Sequence, residues 1–416
     1  MTFRYQSKTI ASIRDVDFDS KRVLVRIDGN SPIDSGRIMD DTRLRSHAET
    51  IRFLVASGAS VVVMTHQGRP GDNDFIELEP HLRVLEKLVD APVDYVDDII
   101  GPEARRRIKR LGKGEVLLLD NTRILSEDYI EADMEKHASS IMVRKLAPLF
   151  DYYVNDAFAV SHRSQASIVG FPLVLPSTAG IIMEAEVTAL SRAIEGDERP
   201  RIFILGGAKL SDAVKLVKSL FESKAADEIL TTGLVSILFL IARGVSVERR
   251  VEETVKKKAD DRLIVEARNL LAQGAPVRTP LDFLVEVNGH VEIAPASSMR
   301  GIPKDIGPST LEYYRNKLRK AKIIVMRGPA GIIEDPRFRR GTIDLVKAVL
   351  ESDAFSIFGG GHFNAIASSI PEALRARVGH ISTGGGAMIY FLTRRPLPGL
   401  EALAASYERF FHWGGK

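Results

Sequence analysis

Short apolar runs alternate with stretches of helical period along the chain. In the first half the runs are VLVRI (23–27), VVVMT (61–65), VDYV (93–96), VLLLD (116–120) and YYVND (152–156). In the second half they are RIFILGG (201–207), EILTTG (228–233), KIIVMRG (322–328), FSIFGGG (355–361) and HISTGGG (380–386). They are apolar at successive positions, as strands covered on both faces must be. Between the first two, Leu44, Ala48, Ile51, Leu54 and Val55 recur at helical spacing, and Gly58 closes that helix. Repeated strand–helix units predict parallel sheets wrapped by helices. Two such series predict an α/β chain of two doubly wound parallel-sheet domains, 1–182 and 183–399. The helical stretch 181–196 is the expected connector, and FLVEV with VEIAP (283–295) predicts a β-ribbon within the second half.

Ligands in such sheets sit beyond the carboxyl ends of the strands, so those ends carry the functional signal. In the first half they are basic. VLVRIDGNSPI places Arg26, Asp28 and Asn30 on alternate positions, which share one face of an extended chain. THQGRPG adds His66 and Arg69, DNTR adds Arg123, and AVSHR adds Arg163. Arg45 opens the following helix, off its apolar stripe and free to reach the same place. Guanidinium forks suit phosphates and carboxylates. Asp28 and Asn30 would bind hydroxyls and orient the arginines, so the first half reads as a site for a small, hydroxylated polyanion. In the second half the ends are glycines, in LGGAKLSD, TTGLVS, RGPAGIIE, FGGGHFN and STGGGA. Glycine there lets backbone N–H groups approach a phosphate at a helix start, and Lys209 stands where it could reach one. Neither GxxxxGK[ST] nor GxGxxG occurs at these places, which excludes those two nucleotide loops.

Composition narrows the class further. The net charge of +3 gives no reason to expect nucleic acid, and the basic runs 103–110 and 255–262 are interleaved with acids and carry no aromatics. The absence of cysteine excludes disulfides and thiolate metal sites, and the start MTFRYQSKTIASIRD has no secretory apolar region, so a cytoplasmic protein is expected. The most apolar run, ILTTGLVSILFLIA (229–242), falls short of the roughly 20 residues of a membrane span and reads as a core strand and helix. A basic anion domain with a glycine-rich nucleotide domain, and no need for a nucleophile, points to phosphoryl transfer. A carboxylate acceptor is already ionised at neutral pH and requires no general base.

These motifs together resemble the phosphoglycerate kinase family, in its order and over nearly the whole chain: VLVRIDGNSPI, DDTRLRSHAETIRFLVASGASVVVMTHQGRP, DAFAVSHRSQAS, FILGGAKLSDAVKLV, GPAGIIE and HISTGGGAMIYFLTRRPLPGLEAL. The resemblance implies two Rossmann-like domains joined by a hinge, with residues from about 400 to 416 returning to the first. It implies reversible transfer between 1,3-bisphosphoglycerate and ADP, giving 3-phosphoglycerate and ATP, with Mg²⁺ carried by the nucleotide. By motif position Arg26, Asp28, Asn30, Arg45, His66, Arg69, Arg123 and Arg163 would hold the glycerate substrate, with Arg45 and Lys209 catalytic. Gly206, Gly207, Lys209, Gly233, Pro329, Glu334, Gly359, Gly360, Gly361, His362, Gly384, Gly385 and Gly386 would hold the nucleotide, with Glu334 at the ribose. No metal ligand is assigned, no membrane or nucleic-acid partner is implied, and a monomer is expected.

The chain departs from the family pattern at a few positions. Arg327 stands where Asn is usual, Ala213 where a second lysine is common, His362-Phe363 where Asp-Thr is normal, and Gly29 where Phe is usual. These leave two alternatives: a catalytically impaired nucleotide-binding homologue, or a kinase for another phosphorylated carboxylate. A dinucleotide oxidoreductase is disfavoured by the missing GxGxxG.

Overall fold

The computed structural model describes residues 2–411, and for His362 the backbone alone. Residues 1–188 with 396–416 form one compact unit and 189–395 a second. The division falls inside a helix, Ile181–Ile194, rather than at its start.

The first unit is built on six parallel strands: β1 (Arg22–Arg26), β2 (Ser60–Met64), β3 (Val93–Val96), β4 (Val116–Leu119), β5 (Tyr152–Asn155) and β6 (Ser177–Ala179). Their order is β6-β5-β1-β2-β4-β3. The chain runs outward from β1 on one side and then returns to lay β5 on the other, so the switch point lies between β1 and β5. Successive residues of β1 face opposite layers. Val23 and Val25 join the core under helix α1 (Thr42–Ala56), with Leu44, Ala48, Ile51 and Leu54, whereas Leu24 joins Val62, Met64 and Phe171 on the other face. Burial on both faces explains the unbroken apolar runs. The short edge strand β6 lacks such a run and was not expected.

The second unit repeats the design with β7 (Arg201–Leu205), β8 (Glu228–Thr231), β9 (Val277–Arg278), β10 (Ile323–Arg327), β11 (Phe355–Gly359) and β12 (His380–Ser382). All pairs are parallel, in the order β9-β8-β7-β10-β11-β12, which puts the switch point between β7 and β10. The helix α2 (Leu210–Glu222) follows β7 and buries Leu210, Val214, Val217 and Leu220. The ribbon expected at 283–295 is a three-stranded antiparallel sheet, because Ile302–Ile306 pairs with Asp282–Val287 on the side away from His290–Pro295.

The chain re-enters the first unit near its end. Leu397 N–H donates to Tyr5 Oη at 3.1 Å and Gly399 N–H to the Ser161 carbonyl at 2.9 Å. The helix α3 (Pro398–Phe410) then buries Leu400, Ala402 and Leu403, and Ser406 Oγ donates to the Leu175 carbonyl at 3.1 Å. Residues 412–416, the end of the returning segment, lie outside the described residues.

Candidate active site

The site of the first unit starts at Arg26, the last residue of β1, whose side chain is only 1 % exposed. A buried guanidinium must find acceptors for its donors. Nε donates to Ser167 Oγ at 2.9 Å, one Nη pairs with His66 Nδ1 at 3.1 Å, and the other with the Ile27 carbonyl. Ser167 is fixed by its own N–H on the buried carboxylate of Asp128 at 2.8 Å. Arg123, buried after β4, donates to the Gly68 carbonyl, and Gly68 N–H donates to Asn30 Oδ1 at 2.8 Å. Asn30 Oδ1 therefore helps to hold the loop that carries Arg69.

His66 reports how closely the cations converge. Burial first, then the charges of Arg26, Arg123, Arg43 and Arg163, hold its imidazole well below the usual histidine range. It is neutral at pH 7. Arg123 is pushed down to about 10 by burial and by Arg26, Arg163 and Arg69, with Asp128 opposing. Arg69 is exposed, and Arg163 lies 3.5 Å from Glu131. Arg26, His66, Arg69, Arg123 and Arg163 thus share one strongly positive region, which repels itself when no anion is present.

Arg45 does not join it. Its side chain is 63 % exposed and pairs with Asp41, the N-cap residue of α1, at 2.7 Å. Arg43, passed over in the sequence, reaches the carboxylate of the buried Asp28 instead. Helix phase is the reason. Arg43 and Arg45 flank the core residue Leu44 on opposite sides, and Arg43 shares its face with His47, four residues on. His47 is buried and pairs with Asp156, just past β5, at 2.6 Å. A polar residue on the core side of the helix was the available signal. Asp28 consequently orients Arg43. A Cβ on Gly29, between the two motif residues, would stand 2.9 Å from Thr65 Oγ1.

In the second unit the glycines divide into two kinds. Gly206, Gly207 and Gly233 lie where β7, β8 and β10 end side by side. Their N–H groups donate to the carbonyls of Arg327 (2.8 Å), Pro329 (3.0 Å) and Ala330 (3.1 Å). A Cβ on Gly206 would sit 2.3 Å from the Pro329 carbonyl oxygen. Gly206 and Gly233 are demanded by close backbone approach and Gly207 by its positive φ of 77°, and the N–H groups of all three are engaged within the protein. Gly361 and Gly385 have open space where a Cβ would stand, and Gly360 and Gly386 begin helices. Gly359 ends β11, and Gly384 N–H donates to Ser382 Oγ at 3.1 Å. Lys209 is exposed at the N-cap of α2, and Glu334 is exposed in the turn after Pro329. The His362 side chain lies outside what is described.

Among the described residues no group of three or more His, Asp or Glu is arranged to hold a metal. No helix among them is long and apolar enough to cross a membrane.

Comparison with known proteins decides what this arrangement belongs to. The family model described as phosphoglycerate kinase matches residues 13–395. The chain belongs to the phosphoglycerate kinase family. It is 53 % identical to a phosphoglycerate kinase of Aeropyrum pernix, over 99 % of each chain. It is 49 % identical to one from Saccharolobus solfataricus, over 96 % of this chain and 98 % of that one. The crystal structure of phosphoglycerate kinase from Pyrococcus horikoshii superposes with a TM-score of 0.89 at 41 % identity, covering 96 % of this chain and 100 % of that one. The structure of phosphoglycerate kinase from Coxiella burnetii gives 0.75 at 28 % identity, over 95 % of this chain and 98 % of that one. The match extends over both units, so the family's two doubly wound domains are those described above.

Proposed function

We infer that the chain catalyses reversible phosphoryl transfer between 1,3-bisphosphoglycerate and ADP, the phosphoglycerate kinase step of glycolysis and gluconeogenesis. In the forward direction the acyl phosphate P–O bond breaks and a β-phosphate oxygen of ADP bonds to phosphorus. The products are ATP and the carboxylate of 3-phosphoglycerate, and no proton needs to move. The observation that carries this reading is the convergence of Arg26, Arg43, Arg123 and Arg163 on a neutral His66 near the first switch point. Phosphoryl transfer runs on positioning and charge stabilisation, and this cluster supplies both.

Arg26, Arg69, Arg123 and Arg163 hold the phosphate and carboxylate of the glycerate substrate. His66, kept neutral with Nδ1 accepting from Arg26, offers Nε2–H as a donor without adding to the repulsion. Arg43, aimed by Asp28, takes the place beside the transferring group first given to Arg45. Lys209 meets the nucleotide phosphates, Glu334 the ribose, and the open glycines of 359–361 and 384–386 give close backbone approach. Mg²⁺ would be carried by nucleotide phosphates and water, as this ion commonly is. When bound, Mg²⁺ neutralises charge on the β- and γ-phosphates.

A coupled assay with 3-phosphoglycerate, ATP and Mg²⁺ tests the reading, and turnover is expected. Activity with another phosphorylated carboxylate but none with 3-phosphoglycerate would move the assignment to a different acceptor. Nucleotide binding without any turnover would mark an impaired homologue.

A further inference from the structure

The second switch point carries a cation that the site described above does not use. Arg327 ends β10, beside the β7 end where Gly206 and Gly207 follow, and ligands of open α/β sheets bind in the crevice beyond such a point. Its main chain is fixed by the Gly206 N–H on its carbonyl. Its stem packs toward Gly359 at the end of β11, where a Cβ would stand 3.8 Å from Arg327 Cγ. The side chain is 17 % exposed, yet among the described residues the guanidinium makes no hydrogen bond. The acid facing it is Asp212, at 3.7 Å, in the first turn of α2. Burial disfavours the charged form and Asp212 restores part of it. The stem is packed while the guanidinium nitrogens still reach the crevice, and their acid partner stands only at ion-pair distance, so the fork can turn to an anion there.

We propose that Arg327 is a phosphate-binding residue for the nucleoside diphosphate, and that Asp212 holds the guanidinium until the polyphosphate arrives. This rests on the nucleotide reading of the second unit and adds to it a residue outside the glycine loops. A planar fork can take two phosphate oxygens at once, which the 3.7 Å contact to Asp212 does not match. Lys209, at the start of the same helix, supplies the second cation. The adenosine portion makes no use of Arg327, so the contribution of this residue depends on the number of phosphates.

The test is calorimetric titration of the whole chain with adenosine, AMP and ADP. Arg327→Gln should weaken ADP about tenfold, the loss of one charge-assisted contact, while adenosine and 3-phosphoglycerate stay within about twofold. Arg327→Lys should recover part of the loss. Asp212→Asn leaves the guanidinium in place and removes a competing anion, so ADP should bind about threefold more tightly. Unchanged ADP affinity in Arg327→Gln would overturn the proposal, and so would equal weakening of adenosine and ADP. Weaker ADP binding in Asp212→Asn would show the pair to be structural. If the wild-type chain binds 3-phosphoglycerate but no ADP, the nucleotide reading fails and takes this proposal with it. Tight ADP binding that Arg327→Gln leaves intact removes this proposal alone.

Discussion

Arg43 and Arg45 are two residues apart and chemically identical, yet the fold gives them opposite environments. Arg43 contacts a buried carboxylate at the end of a core strand, whereas Arg45 makes an exposed pair within one helix. Exposed pairs of that kind contribute at most about 0.5 kcal/mol. Arg45→Ala should therefore leave kcat and KM within about twofold of wild type, while Arg43→Ala should lower kcat/KM by about 10²-fold or more. Steady-state kinetics of the two variants compares them directly, and equal losses would reject the assignment of Arg43. The arginines at strand ends were legible because a strand end has one topological position. An arginine on a helix has an angular phase as well, and the core stripe leaves two sides open. Histidine burial gives a second prediction. His81 Nε2 faces the Gly29 carbonyl at 3.1 Å, and burial lowers its pKa to about 4, only partly offset by that contact. The unfolded chain binds this proton below about 6.5 and the folded one only below about 4, so stability from His81 is complete above 6.5 and falls as pH drops. The stability difference between wild type and His81→Gln should shrink by about 3 kcal/mol between pH 7 and pH 4 in urea unfolding. A pH-independent difference would mean that the imidazole titrates normally.

At the scale of elements, apolar runs identified the long strands because both faces of each sheet are covered, and a continuous run is then a physical necessity. Short edges escaped for the converse reason. Ser177–Ala179 and Val277–Arg278 have too few residues to show a pattern, and Ile302–Ile306 includes Pro303 and Lys304 because one side of its small sheet is left open. Glycine-rich ends were legible as ends, but not by what each glycine does. Gly206 sits under a carbonyl oxygen, and Gly361 faces open space. Gly206→Ala should cost about 3 kcal/mol through overpacking of three strand ends. Gly361→Ala meets no such obstacle and should leave thermal unfolding of the second unit unchanged while weakening nucleotide binding. If both variants lose equal stability, the separation between crossing glycines and open glycines is wrong.

The whole molecule divides its chemistry between two units. Arg26, Arg43, Arg123 and Arg163 belong to the unit of residues 1–188 and 396–416, and Lys209, Arg327 and the glycine-rich ends belong to 189–395. Each half of the pattern could be read in the sequence, because strand ends gather ligand groups within a sheet, but nothing in a linear pattern fixes how far one sheet stands from another. Donor and acceptor oxygens must lie in line across one phosphorus, and water must be kept from the acyl phosphate or it will be hydrolysed. With the glycerate meeting the first unit and the nucleotide the second, as proposed above, closure should require both. Small-angle scattering should therefore give a smaller radius of gyration for the chain with 3-phosphoglycerate and a non-hydrolysable ATP analogue than with either alone. Arg43→Ala should weaken this contraction if the cation is attracted to the nucleotide phosphates as well as to the glycerate. Arg45→Ala should not. A radius that stays the same in the ternary complex would show that transfer proceeds without closure, and the hinge would have to be abandoned.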